Sequence, residues 1–471
     1  MACSPYVGLG KPPPASRRLI PTEPALEKSP TATTEAVSSH PRETGHWSPK
    51  WRRNTSRAGK KPRADWKSDL QTYGAGRKSQ KTPTLVVGKK PYGKSQIKSV
   101  CPLPMKPNLL TPAICLGLML HASLIPGGNC SSFTNGAVTD HVKWFDTSGN
   151  IINAHDGGII YAEGKYHWYG MALRAFPVGS GTNGGQKTVV GVKMYGSSDL
   201  YNWTDEGVVL GCSTNPADPL YGPMRFERPK IIYNQKTKKY VMWFHYVGFP
   251  GDHNDRIGLA DAGVASCDTI NGNYTFHGYY RPIDPSDPVK DCTLFQDDDG
   301  VAYFIYDRVV RSPGPDFGRT LHVVKLTDDY LAATSTYCKI TNAPAREAPV
   351  MIKRNGIYYL ITSAESGWKF NQANYYRATH IFGPYTEMGC PCVGPDMATT
   401  YHSQGTQAFP VQGGKGAFVF IAERHNTACM TDSSYIFLPV LFPSASTLQL
   451  PYFERWDLDH WPQEITSSSQ P

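Results

Sequence analysis

Four carboxylates in this sequence each stand just ahead of an apolar, β-branched run: Asp156 before Ile159-Ile160, Glu227 before Pro229 to Tyr246, Asp291 before Thr293-Leu294-Phe295, and Glu347 before Val350. Carboxylates paired across a gap one sugar wide are what glycoside hydrolysis needs, because one protonates the leaving oxygen while another group activates water or attacks. Each has a plainer reading too. Asp156 suits a turn ahead of Gly157-Gly158, and Glu227 suits an ion pair with a neighbouring Arg. His155 shares the strand mouth of Asp156, and Gln404, within Tyr401 to Gln407, would add an amide. In Ser363-Ala364-Glu365-Ser366-Gly367-Trp368, the Trp368 face fits either stacking on a pyranose ring or packing in a core.

These groups can meet only if the strands behind them converge. Around Glu347 the run to Ile352-Lys353-Arg354 is followed by Asn355-Gly356, the pair a tight hairpin turn needs, and then by Ile357-Tyr358-Tyr359-Leu360-Ile361-Thr362 returning. The same design recurs from Gly158 to Gly170 with a turn at Glu163-Gly164, and from Pro229 to Tyr246 with a turn through Asn234 to Lys239. It recurs again from Thr293 to Tyr306 with a turn at Asp298-Asp299-Gly300, and from Ala408 to Ala422 with a turn at Gly413-Gly414. The units start roughly 55 to 75 residues apart, near or above the repeat length of propeller blades. The expectation is an all-β, five-bladed β-propeller, in which polar residues at matching strand entrances face one end of a shared funnel. A β-sandwich with irregularly spaced hairpins is the alternative.

Charge divides the 471-residue chain unevenly. Net charge is +9 overall, but Met1 to Asn108 carries 21 Lys+Arg against 6 Asp+Glu, so the remainder is acidic. That excludes nucleic-acid binding by the folded part as the first reading. Residues 1–104, rich in Pro, Ser, Thr, Lys and Arg without apolar periodicity, read as a disordered basic tail. Met105-Lys106 and the apolar run Leu109 to Pro126 have the layout of a signal peptide over 105–128, or of a signal anchor if translation starts at Met1. The propeller is expected over 138–460, with 461–471 as a C-terminal tail. A secreted or luminal site follows, with membrane attachment only through an uncleaved anchor. Sequons at Asn129, Asn202 and Asn273 fit that compartment, and eight cysteines from Cys130 onward permit disulfides whose pairing spacing cannot give. Asp297-Asp298-Asp299-Gly300 lacks the later ligands of a calcium loop and reads as a turn, and Cys390-Pro391-Cys392 has no partners for zinc. No cofactor or metal is expected; a structural calcium is conceivable but not indicated.

Taken together, Ile152 to Gly158, Glu227-Arg228-Pro229-Lys230, Lys238 to Trp243, Asp291 to Phe295, Arg346-Glu347-Ala348-Pro349, Ser366-Gly367-Trp368 and Ser403-Gln404 resemble glycoside hydrolase family 43, and within it the exo-β-1,3-galactanase group. Asp432-Ser433-Ser434-Tyr435 and Leu438-Pro439 continue the resemblance, which covers the chain from about Val142 to Asp459. It implies a five-bladed propeller that cleaves with inversion. Glu347 then looks like the general acid, Asp291 like the carboxylate that tunes its pKa, and Glu227 like a sugar-binding residue, with His155, Ser366 and Trp368 as further substrate contacts. The base is either Asp156, at the position the broader family fills with Asp, or Gln404, which matches an unusual case in which a Gln handles the water. Met171 and Ile257 stand where the galactanase group has Glu and a sugar-contacting Tyr. The expected activity is release of galactose from β-1,3-galactan or arabinogalactan backbones. An arabinofuranosidase or xylosidase of the same fold, or a carbohydrate-binding propeller without catalysis, is the alternative.

Overall fold

The computed structural model describes residues 130–462, apart from 175–188, 223, 249–259, 312, 314–316, 341–344, 368, 415 and 427–428. The basic tail, the apolar segment, Ile257 and Trp368 lie outside the described residues.

Five antiparallel sheets form, each a meander of consecutive strands, and together they make a five-bladed β-propeller. Blade I comprises His155–Ala162, Lys165–Leu173, Val189–Ser197 and Thr204–Gly211. Blade II comprises Met224–Asn234, Lys239–Gly248, Ala260–Cys267 and Thr275–Tyr280. Blade III comprises Val289–Gln296, Ala302–Val310, Gly318–Leu326 and Ala333–Lys339. Blade IV comprises Arg346–Arg354, Ile357–Ala364, Asn374–Ala378 and Thr386–Gly389. Blade V comprises Gln404–Pro410, Phe418–Arg424, Ser434–Ser444 and Thr447–Pro451, with Cys392–Val393 added in parallel outside the last. The first strand of each blade packs on that of the next, and blade V returns to blade I, so the five inner strands ring one axis. Among the described residues there is no pair of face-to-face sheets, the sandwich alternative.

Turn chemistry sets the hairpins. Glu163 and Gly164, and Asn355 and Gly356, all take positive φ, at 51° and 87° and at 51° and 75°, which matches the right-handed twist of the strands they join. In blade II, Asn234 Oδ1 instead accepts from the N–H groups of Lys236 and Thr237 and shapes a longer turn. Asp297, at the blade III turn, bonds Lys353 and Tyr358 of blade IV and so fastens two blades. Other inter-blade bonds run from Ile231 N–H to Tyr169 Oη (3.1 Å) and from Trp243 Nε1 to Tyr330 O (2.8 Å).

Every inner strand is bulged near its start, at His155/Gly158, Glu227/Lys230, Val289/Cys292, Glu347/Val350 and Gly405/Gln407. At three bulges the backbone turns left-handed: Asp156 (φ 56°), Arg228 (φ 50°) and Ala348 (φ 52°). A bulge re-aims side chains out of the pleat alternation, and here it does so at the same end of each blade. By register His155, Glu227, Glu347 and Gln404 are therefore counterparts, facing Met171, His245, Ser363 and Glu423 respectively on their second strands.

Candidate active site

The inner-strand entrances bring Glu347, Asp291 and Gln404 into one hydrogen-bonded cluster held by arginines. Gln404 Nε2 donates to Glu347 Oε1 at 3.2 Å and to Ser363 Oγ at 3.1 Å, while its amide oxygen accepts from Arg228. Arg228 Nε pairs with Asp291 Oδ2 at 2.9 Å, and that oxygen also accepts the Ala348 N–H at 3.1 Å. The left-handed turn at Ala348 aims its N–H at Asp291. The other face of Glu347 meets Arg319, with Nη2 3.0 Å from Oε2. Burial, reinforced by the negative charge of Asp291, pushes the Glu347 carboxyl up to about 7 against the opposing pull of Arg319 and Arg228. A carboxyl that keeps its proton near neutrality, next to a second carboxylate that has a cation of its own, is arranged to give that proton away.

Glu227 is placed differently. It lies between Arg225 and His245, whose Nδ1 is 2.9 Å from Oε2. Burial alone would raise its pKa, but Arg225 and His245 outweigh it and hold the group down to about 2, so it stays an anion. Such a group accepts hydrogen bonds from hydroxyls and donates no proton.

Behind these residues lies a ring of buried charge. Asp156 is 3% exposed; Oδ1 is 3.2 Å from His425 Nε2, its N–H donates to Glu423 Oε2 at 2.8 Å, and its carbonyl accepts from Lys230 Nζ at 3.0 Å. His155 Nδ1 lies 2.6 Å from Glu423 Oε1, with Tyr435 beside its ring. Asp156, Glu423 and His425 each offer a ligand atom within 4.8 Å of one another, a set a divalent cation could use. As arranged they satisfy one another directly through the His425–Asp156 and His155–Glu423 pairs. Lys230 is wholly enclosed, and burial together with Arg228 pushes its amine down to about 7.

Among the residues read from sequence, the structure gathers Glu347, Asp291 and Gln404 into direct contact through Arg228, and sets Glu227 on the adjoining blade. Asp156 and His155 lie deeper, against blade V. Ser366 is exposed, its hydroxyl donating to Lys369 O and accepting from Asn371 Nδ2, both at 2.6 Å. Met171 packs in the apolar core with Leu173, Met224 and Phe226. Arg319, His245, Glu423 and Ser363 were not read as site residues because second and third strands carry them, and His425 because it follows directly on the second strand of blade V; their partners become neighbours only through pairing. A signal did exist for three of them: His245 interrupts an apolar strand opposite Glu227, and Glu423 and His425, two apart, both meet Asp156.

The sequence pattern of glycosyl hydrolases family 43 matches residues 152–434. A solved β-1,3-galactosidase of that family in complex with galactodeoxynojirimycin is 32% identical, aligned over 67% of this chain and 99% of its own, with a TM-score of 0.59. An exo-β-1,3-galactanase from Phanerochaete chrysosporium, solved with β-1,3-galactotriose, is 26% identical over 71% of both chains, with a TM-score of 0.58. A β-D-galactofuranosidase of Aspergillus niger is 36% identical over 100 residues, or 20% of this chain and 26% of its own. The curated relatives are matched over short stretches, at most 36% of their length.

Proposed function

Because the chain belongs to glycosyl hydrolases family 43, we propose that it is an exo-acting, inverting hydrolase that releases galactose from β-1,3-linked galactan. The observation that carries this reading is the Glu347–Asp291–Gln404 cluster, where burial and Asp291 keep Glu347 protonated up to about 7. The galactose-related ligands bound by two solved relatives support the choice of sugar.

Glu347 gives its proton to the glycosidic oxygen as the C1–O bond breaks, and water adds to C1 from the opposite side. Glu227, an anion between Arg225 and His245, accepts hydrogen bonds from the hydroxyls of the terminal sugar. Gln404 holds the attacking water. Its 3.2 Å contact with Glu347 leaves no room for an anomeric carbon between them, so sugar entry separates the two groups. Water supplies OH to C1, Glu347 supplies H to the leaving oxygen, and the proton shed by water passes to solvent, from which Glu347 is recharged.

The test is hydrolysis of β-1,3-galactobiose followed by proton NMR. Wild type is expected to release α-galactose first, and Glu347→Gln to reduce kcat by about a hundredfold or more. Undiminished turnover in that variant would remove Glu347 from the reaction. A faster rate on arabinofuranosyl or xylosyl substrates would reassign the sugar, and tight binding without turnover would make the propeller a carbohydrate-binding module.

A further inference from the structure

Cys390-Pro391-Cys392 takes no part in the reaction proposed above, yet the fold brings its two thiols together. Cys390 follows the last strand of blade IV, and Cys392 opens the short strand Cys392–Val393 that pairs in parallel with Leu450–Pro451 at the edge of blade V. In an extended chain residues two apart project to the same side, and Pro391 fixes the φ of the link between them. Cys390 Sγ bends over its partner, 3.8 Å from the Cys392 carbonyl oxygen and 3.8 Å from that of Met397. Both cysteines are free thiols.

The two are not equivalent. Cys392 is 3% exposed, whereas Cys390 is only half-buried and open to solvent. Hydrogen bonding from the Cys392 thiol, helped by the Cys392 backbone and the charge of Arg346, outweighs burial and brings the Cys390 thiol down to about 7. The same hydrogen bond, with burial, pushes Cys392 well up. A thiol that ionises near ambient pH attacks a disulfide best, and a second thiol held against it is placed to resolve the mixed disulfide that results. Cys392 also lies against the Thr400 and Tyr401 side chains, and Tyr401 Oη accepts the N–H of Val393 at 2.8 Å. The pair therefore borders the segment that leads into Gln404.

We propose that Cys390 and Cys392 form a redox-modification site, a dithiol that a small-molecule disulfide such as oxidised glutathione closes into an intrachain disulfide. The Cys390 thiolate attacks one sulfur of the small disulfide, forming a mixed disulfide and releasing one thiolate. Cys392 then gives its proton to that thiolate and attacks Cys390 Sγ, forming the Cys390–Cys392 bond and expelling a second thiolate, which solvent protonates. Two protein thiols are oxidised, and one small disulfide is reduced to two thiols.

The test incubates the full chain, reduced and then freed of reductant, with oxidised glutathione at neutral pH. Remaining thiols are blocked with N-ethylmaleimide in denaturant, and the protein is digested with trypsin without reduction. Both cysteines fall on the peptide 378–415, which holds no other cysteine. In wild type that peptide is expected unblocked and lighter than its dithiol form by two hydrogen atoms. Cys392→Ser, without the resolving thiol, should keep one glutathione on Cys390, and Cys390→Ser should leave Cys392 free of glutathione. Closure should be severalfold faster in the folded chain than in urea, because the fold lowers the attacking thiol and holds its partner. A wild-type peptide carrying two blocking groups, a glutathione that stays on Cys390, a bond from either cysteine to another peptide, or closure no faster folded than unfolded would each overturn the proposal. If a serine variant does not fold, the wild-type outcomes decide alone. None of these outcomes depends on turnover, so the site stands or falls separately from the hydrolytic reading.

Discussion

Glu347 shows how one residue acquires its chemistry from neighbours. Burial comes first, Asp291 adds to it, and the carboxyl reaches about 7 from an ordinary 4.5. Turnover should therefore decline as pH rises through about 7, when the donor loses its proton. The same shift sets a stability trend. Below 4.5 the carboxyl is protonated folded or unfolded; between 4.5 and about 7 the unfolded chain ionises first and the fold loses ground; above 7 the loss is complete. Glu347→Gln, which cannot ionise, should gain on wild type across that window, by on the order of 2 kcal/mol. Melting curves at pH 4 and pH 8 with an unchanged difference would refute the raised pKa. For the water, sequence left Asp156 and Gln404 open. In the mechanism proposed above Gln404 takes the water; the Asp156 carboxylate already meets His425 inside the ring of charge. Gln404→Ala should reduce kcat about a hundredfold or more with a normal melting temperature. Asp156→Asn should lose about 3 kcal/mol of stability and much less activity. The reverse pattern would hand the water to Asp156.

At the scale of the element, the segment that delivers Gln404 is unusual. Thr400, Tyr401 and His402 follow one another in the left-handed region, with φ of 52°, 56° and 55°. Each costs about 1–2 kcal/mol relative to an ordinary conformation, and none is a glycine. The surroundings offset that. Thr400 Oγ1 accepts from Ala373 N–H and donates to Asn371 O, both at 2.8 Å, while Tyr401 Oη accepts from Val393 N–H at 2.8 Å and reaches Leu450 O at 2.7 Å. Tyr401→Phe keeps the packing and removes the hydroxyl, so a stability loss of about 1–2 kcal/mol is expected. If the hydroxyl also fixes where Gln404 points, kcat should drop severalfold while KM moves little; equal changes in both would mean a purely structural part. This device was not legible in the sequence, where Thr400-Tyr401-His402 has none of the Gly or Asn that mark positive φ. The hairpins were legible for the opposite reason. Asn355-Gly356 and Glu163-Gly164 advertise their turns locally, and five such units sufficed to give the blade count and place Glu347, Asp291, Glu227 and Gln404 at strand entrances. Arg319 carries no such local mark, because its meaning arises from Glu347 and Glu365 a blade away.

The molecule as a whole must close a ring whose blades are each built from consecutive strands, so no strand exchange locks it. The lock lies outside the blades. Phe133–Thr134 pairs with Arg455–Trp456 beyond the last blade, and Phe133 packs against Trp456 and Phe437 at centroid distances of 4.4 and 5.1 Å. Asn135, fully buried, donates from Nδ2 to Phe437 O (2.8 Å) and Phe453 O (2.9 Å) and accepts the Phe437 N–H at 2.9 Å. Buried Arg424 then ties this clamp to the segment that leads into Gln404: Nη1 reaches Asn135 O at 3.2 Å, and Nε reaches Tyr401 O at 3.3 Å. Asn135→Ala would take a partner from Phe437 N–H and Phe453 O, while Phe437 O keeps the bond from Trp456 Nε1 at 2.8 Å, at about 1–3 kcal/mol for each group that finds no substitute. A melting temperature lower by several degrees is expected, with activity retained at 25 °C because no atom of Asn135 reaches the Glu347 cluster. Wild-type melting in that variant would mean that blade-to-blade packing closes the ring unaided. A large loss of activity with normal melting would mean instead that the clamp acts through Arg424 and Tyr401 on the position of Gln404.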